Sequence, residues 1–279
     1  MTVRKRITDA VPPELRIRPA ETLNLLNRFL ADRVDQRGFA GIVLGLSGGI
    51  DSAVSAAIAT RALGSKRVTG LFLPYTASDP RSEVDARLVA DRLGIDLIRQ
   101  PLTPFADSFF AAIPACNRVR KGNILARLRM IVLFDCSHKM DRLVLGTSNK
   151  TEILLGYGTW YGDTACSLNV IGDLYKTQVR QLARYLKIPG QIIEKPPSAD
   201  LWPGQTDEGE IGMSYVLMDR LLYRLYDVRR LPREVQKEGF KPVLIRKIIK
   251  RVEANRFKSM LPEIARLPLP EGRVTSGEM

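Results

Sequence analysis

Eight consecutive residues, Gly45-Leu46-Ser47-Gly48-Gly49-Ile50-Asp51-Ser52, bring three glycines, two hydroxyls and a carboxylate into one short string. Adjacent glycines let the backbone adopt conformations that side chains forbid, so successive N–H groups can face phosphate oxygens. Ser47 and Ser52 add hydroxyl donors, and a helix starting here would add the positive end of its dipole. Asp51 repels phosphates unless a divalent cation lies between them, and Mg2+ is the obvious candidate. A Gly-Gly turn with a Ser or Asp cap accounts for many shorter strings; this one, between a strand and a helix, asks for more. It is neither GxxxxGK[ST] nor GxGxxG, so the kinase/GTPase and dinucleotide fingerprints are not met.

Two more groups could work with it. Glu152 closes Leu145-Gly146-Thr147-Ser148-Asn149-Lys150-Thr151-Glu152, which leaves a strand. Asp51 and Glu152 at neighbouring strand ends can share one Mg2+ and offset phosphate charge; alone, Glu152 reads equally well as an exposed residue near a helix start. Lys176, in Gly172-Asp173-Leu174-Tyr175-Lys176-Thr177-Gln178, falls in a helix's first turn. A cation there opposes the helix dipole, which makes sense if an anion binds. Ser198, Asp200, Asp207 and Glu208 fall in Lys195–Gly209, whose three prolines and two glycines predict a long lid-like loop without regular structure.

These residues need a scaffold. Residues 20–37 place Leu23, Leu26, Leu30 and Val34 at helical spacing and stop at Gly38. Ile42–Leu46 reads as a buried strand, Asp51–Leu63 as a helix, Val68–Leu73 as a strand, Ser82–Leu93 as a helix and Ile95–Ile98 as a strand. Helices near 104–112 and 122–138 precede the strand Leu143–Gly146. Residues 147–172 read as irregular, and Asp173 as the N-cap of a helix Leu174–Leu186 ending near Pro189-Gly190. Strands alternating with helices imply right-handed crossovers and a parallel sheet covered on both faces. The expected fold is α/β: a three-layer α/β/α, Rossmann-like arrangement with a mostly parallel twisted sheet, plus a C-terminal helical region. One domain spans 1–279, with the α/β core at 20–200, a mobile loop at 195–210 and a helical region at 211–262.

Composition narrows the classes. The chain has 279 residues, 43 Lys+Arg against 30 Asp+Glu and a net charge of +13, enough length for a large core and an excess that suits an anionic partner. No run approaches the roughly 18–20 apolar residues of a membrane span, and Met1–Ala10 lacks the apolar stretch of a secretory signal. Cys116, Cys136 and Cys166 show no CxxC spacing, which fits reduced cytoplasmic thiols rather than disulfides or zinc. With His138 as the single histidine, Ser-His-Asp chemistry and a multi-histidine metal centre are not expected.

SGGIDS resembles the pyrophosphate-binding loop of the N-type ATP pyrophosphatases, which cleave ATP between the α- and β-phosphates and activate a substrate as its adenylate. With the Glu152 and Lys176 stretches, the 195–209 loop and Lys121-Gly122-Asn123-Ile124-Leu125-Ala126-Arg127-Leu128-Arg129-Met130, the chain is similar to the NH3-dependent NAD synthetases from about residue 20 to 262. The resemblance implies a ligase with ATP as co-substrate and Mg2+ as cofactor. The nicotinate carboxylate of deamido-NAD is adenylated with release of pyrophosphate, and ammonia then attacks to give NAD and AMP. By position it implies that Gly45, Leu46, Ser47, Gly48, Gly49, Ile50, Asp51, Ser52, Thr147, Lys176 and Ser198 contact ATP. Asp51 and Glu152 would hold the metal, Lys176 and Asp207 would act in catalysis, and Arg127 would meet deamido-NAD. It also implies a homodimer binding the dinucleotide across its interface. The acid substrate is already ionised, so charge neutralisation and positioning suffice without a histidine base.

The departures from the family pattern cluster. Where the family reads F-T-K-[YF]-G-D-G-G-x-D, the chain has Gly158-Thr159-Trp160-Tyr161-Gly162-Asp163-Thr164-Ala165-Cys166-Ser167. Trp160 replaces a lysine, Ser167 an aspartate, and Phe257-Lys258 a His-Lys pair. Either Trp160, Ser167, Phe257 and Lys258 hold deamido-NAD differently, with Trp160 stacked on a ring, or the enzyme amidates another carboxylic acid. Trp160 as plain core packing is the third option. The tRNA-modifying relatives of the loop are a further alternative, but no RNA-binding signature is evident, so neither nucleic acid nor membrane is the expected partner. No glutaminase domain is expected, making free ammonia the donor, in the cytoplasm. Residues 219–258 carry 13 Lys/Arg against 5 Asp/Glu, and the resemblance puts that excess around the dinucleotide site and the subunit contact.

Overall fold

A computed structural model describes residues 11–113, 115–198 and 206–265. Helix α1 (Pro19–Gln36) leads to β1 (Gly41–Gly45), α2 (Ile50–Leu63), β2 (Val68–Phe72), α3 (Pro80–Leu93) and β3 (Asp96–Arg99). Then come α4 (Thr103–Ala112), α5 (Arg118–Met140), β4 (Arg142–Gly146), α6 (Lys150–Leu155) and β5 (Leu168–Asn169). The chain continues as α7 (Lys176–Tyr185), α8 (Gly190–Glu194), α9 (Asp207–Ile211) and α10 (Tyr215–Leu222), a π-turn at Tyr223–Asp227, α11 (Pro232–Lys237) and α12 (Pro242–Asn255).

The five strands form one sheet in the order β3-β2-β1-β4-β5, with every pairing parallel. Period-two alternation divides its residues between two faces. Ile42, Leu44, Leu143 and Leu145 pack with α1, α2, α7 and α8, while Val43, Leu71 and Val144 pack under α5. Helix α2 is buried on nearly every side, and its alanines at 53, 56, 57 and 59 let it lie close to the sheet and to α1 and α7. A separate cluster, including Leu155, Tyr175, Tyr215, Met218 and Ile245, holds α10 to α12 against the ends of α6 and α7.

The three-layer expectation holds, and the four long strands and their helices fall within a few residues of their expected places. Four local readings are corrected. Residues 147–172 contain α6 and β5. Asp173 is not a cap: α7 begins at Lys176, the Tyr175 N–H donates to Gln178 Oε1 at 2.9 Å, and the Asp173 carboxylate pairs with Lys150. A short helix, α8, follows Pro189. The 195–209 stretch is not wholly irregular, because Asp207 and Glu208 open α9, where acids suit the helix dipole. Asp200 lies outside the described residues.

Candidate active site

The strand order reverses between β1 and β4, and both strands send their C-terminal ends to the same crevice, where α/β sheets bind ligands. The glycine-rich string leaves β1 there and enters α2. Its loop is braced from within. Ser47 N–H donates to Ser52 Oγ at 3.2 Å, Gly49 N–H to Ser47 Oγ at 3.3 Å, and Ser52 Oγ–H to the Gly49 carbonyl at 3.0 Å. Gly48 has φ +76°, and a Cβ on it would lie 2.4 Å from the Ser82 carbonyl oxygen, so only glycine fits this turn against α3. Ser82 and Asp85 of α3 also receive Lys195 Nζ, at 3.3 and 2.9 Å, which ties the stem of the 195–209 stretch to the loop's outer side.

Asp51 lies in the first turn of α2 and Glu152 in the first turn of α6. Asn149 orients both. Its Oδ1 accepts the Glu152 N–H at 3.1 Å, its own N–H donates to Glu152 Oε2 at 3.2 Å, and its Nδ2 donates to Asp51 Oδ1 at 3.0 Å. Lys176, 1% exposed, reaches between them, its Nζ at 2.5 Å from Asp51 Oδ2 and 3.3 Å from Glu152 Oε1. Asp207 approaches from α9, held by the hydroxyls of Tyr215 at 2.7 Å and Tyr157 at 3.0 Å. The Lys176 ammonium lies 5.1 Å from the centre of the Tyr215 ring.

One ammonium thus serves three carboxylates. Burial pushes the Glu152 carboxyl up to about 8, with Asp51 and Asp207 adding to the rise and Lys176 opposing it. Burial raises Asp207 as well, against the pull of Lys176 and the two tyrosines. Burial alone would depress Lys176, but Asp51 and Glu152 hold it above the usual lysine range. The surplus of buried negative charge is what a divalent cation would neutralise. Among the described residues no group of three or more His, Cys, Asp and Glu could chelate a metal alone. Two carboxylates, with phosphates and water completing the shell, are the donor set that Mg2+ accepts.

A second cluster lies where α6 gives way to the 158–167 stretch. Trp160 stacks on Tyr161 with centroids 4.5 Å apart and meets Phe257 edge-on at 5.2 Å. Arg127 Nη2 donates to the Trp160 carbonyl at 3.0 Å. Lys258 Nζ donates to the carbonyls of Gly156 and Gly158 at 2.8 and 3.1 Å, pinning the turn that carries Trp160. Trp160 is therefore not core packing: it is half-buried in a surface cluster with the half-exposed Phe257.

The structure brings together the 45–52 loop, Asp51, Glu152, Lys176 and Asp207, and separately Arg127, Trp160, Phe257 and Lys258. Thr147 is half-buried just beyond β4, and Ser198 is exposed at the edge of the described residues. Ser167 joins neither group. Its N–H donates to the Val144 carbonyl at 2.8 Å and its Oγ accepts the Val144 N–H at 3.3 Å, closing β5 onto β4. Asn149, Tyr157 and Tyr215 were not foreseen. The Asn-x-x-Glu spacing of a capping box was a signal for Asn149, whereas nothing local marked the tyrosines. The basic excess of 219–258 is also partly elsewhere: Arg220 and Arg224 pair with Glu14, and Arg229, Arg230 and Arg233 face solvent.

A phosphate-type loop at the switch point of a parallel sheet, with paired carboxylates and a buried lysine beside it, defines a nucleotide-binding α/β enzyme. The chain belongs to the NAD synthase family, whose sequence model matches residues 22–262. It is 49% identical over 244 residues to the NH(3)-dependent NAD(+) synthetase of Pelodictyon phaeoclathratiforme, covering 88% of each chain. It is 50% identical over 243 residues to that of Trichlorobacter lovleyi, covering 87% of this chain and 89% of the relative. Among solved structures it is similar to the NMN synthetase of Francisella tularensis, with a TM-score of 0.81 and 33% identity over 90% of this chain and all of the other. The NH3-dependent NAD synthetase of Campylobacter jejuni, in complex with nitrate, gives 0.77 and 33% over the same shares.

Proposed function

We propose that this chain is a ligase that forms NAD from deamido-NAD, ATP and ammonia, through adenylation of the nicotinate carboxylate. The observation that carries the reading is the set of Asp51, Glu152 and Asp207 around Lys176 at the mouth of a braced glycine-rich loop. The amides of Gly48 to Asp51, with Ser47 and Ser52, receive the β- and γ-phosphates, and Thr147 and Ser198 contact the rest of ATP. Asp51 and Glu152 would hold Mg2+, which when bound would screen the phosphates from these carboxylates and from one another. Lys176, at the mouth of the loop between Asp51 and Glu152, turns its ammonium toward the α-phosphate and stabilises the developing negative charge. Asp207, steadied by Tyr157 and Tyr215, holds ammonium beside the adenylate and accepts its proton, yielding the neutral nucleophile.

Arg127 and Lys258 bring positive charge to the acid substrate, and the Trp160–Phe257 cluster offers it an aromatic surface. A homodimer is supported by α4 and α5, along which Phe105, Phe109, Val119, Ile131 and Phe134 are exposed. Among the described residues no helix is long and apolar enough to cross a membrane, and the three unpaired thiols suit the cytoplasm. A second reading keeps the chemistry and changes the acid to nicotinate mononucleotide, giving NMN. The likeness to the Francisella NMN synthetase and the altered positions 160 and 257, which touch in the second cluster, support it.

Purified protein supplied with ATP, Mg2+, ammonium and either acid decides between them. AMP-coupled NAD formation with a kcat/KM at least tenfold above that for the mononucleotide is expected. Preference for the mononucleotide would establish the second reading, and no amide product from either would overturn both.

A further inference from the structure

Asp219 on α10 is completely buried, in a helix whose other inward residues are apolar. Its Oδ1 accepts the Thr151 hydroxyl at 2.6 Å and its Oδ2 the Thr177 backbone N–H at 2.8 Å. The Thr151 hydroxyl oxygen accepts the Lys176 N–H at 3.0 Å, closing a ring of three hydrogen bonds shielded from water. Thr151 immediately precedes Glu152, and Thr177 immediately follows Lys176. One carboxylate thus grips the neighbour of each of two active-site groups that lie on different helices.

A second carboxylate repeats the pattern outside the first. Asp227, ending the π-turn after α10, receives Lys150 Nζ at 2.9 Å and the Tyr175 hydroxyl at 3.0 Å. The Lys150 N–H donates to the Leu174 carbonyl at 2.8 Å. Residues 150 and 151 of α6 are therefore cross-linked to Tyr175, which precedes α7, and to Thr177 within it by two acids of the C-terminal region, while Glu152 and Lys176 face the crevice.

Burying a carboxylate is costly, and apolar side chains dock helices at least as well. What Asp219 adds over a leucine is direction: two bonds that fix the helix starts relative to each other. We propose, resting on the ligase reading above, that Asp219 is a positioning residue that sets the spacing of Glu152 and Lys176 through Thr151 and Thr177. A misplacement of about 1 Å in such a pair costs on the order of a hundredfold in rate.

The test uses the full chain with Thr151→Val, Thr151→Ser and Asp219→Asn. Thr151→Val keeps the side-chain shape and removes both hydroxyl bonds, whereas Thr151→Ser keeps them. Three quantities are read: kcat for amidation at saturating substrates, affinity for ATP with EDTA, and affinity for ATP with Mg2+, both by calorimetry. Thr151→Val and Asp219→Asn are expected to lower kcat about 30- to 100-fold and to narrow the Mg2+-dependent gain in ATP affinity at least fivefold. Metal-free ATP affinity stays within threefold, which general damage to the fold would not allow, and Thr151→Ser stays within threefold of the parent throughout. A folded Thr151→Val protein with parental kcat and parental Mg2+ gain overturns the proposal, as does a Thr151→Ser protein impaired like Thr151→Val. If Asp219→Asn does not fold, the Thr151 pair decides alone. A parent chain without amidation activity refutes the ligase reading instead, and the two ATP affinities still judge the positioning role.

Discussion

Replacing Lys176 with methionine keeps the side chain's length and removes the charge that three buried carboxylates share. Leaving such carboxylates without their cation costs about 3–5 kcal/mol, or roughly 10 °C in Tm for a chain of this size. The loss has a pH signature. Glu152 already titrates at about 8 with Lys176 present, far above the 4.5 of an unfolded glutamate, and Asp207 is also raised. Without the ammonium both rise further. A carboxyl raised on folding adds stability below its unfolded value and loses it as pH climbs through the folded value. Lys176→Met is therefore less destabilising at pH 5 to 6, where the ion pair with Asp51 is the main loss, and most destabilising at pH 8 and above. Millimolar Mg2+ recovers part of the loss at the alkaline end. Urea unfolding of parent and variant in EDTA, at unit steps from pH 5 to 9, measures the difference directly. A destabilisation that is flat with pH, or that stays below 1 kcal/mol at pH 8, refutes the shared-cation account of the site. Amidation by the same variant is expected to fall about 100- to 1,000-fold, the scale of losing one preorganised electrostatic group.

Gly48→Ala places a Cβ 2.4 Å from the Ser82 carbonyl in a left-handed conformation, so α3 or the loop must move; ATP affinity is expected to drop at least tenfold while Gly38→Ala, with open space at its Cβ, leaves it unchanged. Burial pushes Asp219 up to about 6 from 3.8, so the stability of the parent relative to Asp219→Asn should fall by roughly 2 kcal/mol between pH 4 and pH 7; a difference constant over that range in paired urea titrations would contradict it. Asp207→Asn raises the KM for ammonium and steepens its dependence on pH, and an unchanged profile removes Asp207 from the ammonia step. Ile131→Asp combined with Phe134→Asp yields monomers by sedimentation velocity if α4 and α5 form the subunit contact; a dimer that survives both changes lies elsewhere.

Strands β1, β2 and β4 were legible because each is a short apolar run between helical periods, buried inside a parallel sheet; β3, half-buried at the sheet's edge, showed through the apolar residues of Ile95–Ile98. The loop was legible because its glycines, hydroxyls and acid are contiguous. What stayed hidden is short or distant. β5 has two residues and α6 six, too few for any period to show, and both lie among glycines and threonines that read as irregular. Asp173 has the right chemistry for a cap, but the Lys150 ammonium competes for its carboxylate. Asp219 meets partners 68 and 42 residues away, and a lone acid in an apolar helix tells only that something polar must face it. Trp160 and Phe257 stood out singly as departures, 97 positions apart; only folding shows that the two altered positions touch.

The strand order also has a consequence for the chain as it is made. β1 lies at the middle of the sheet, and its partner on one side, β4, begins about a hundred residues later. A ribosome that has released the first 100 residues has delivered β3, β2, β1 and the phosphate loop, able to assemble as a half-sheet whose β1 edge is bare. That edge is apolar and open to other strands until β4 emerges, and Glu152, Lys176 and Asp219 follow later still. Nucleotide chemistry thus arrives last, so a prematurely ended chain is a hazard to its neighbours before it can be a wasteful consumer of ATP.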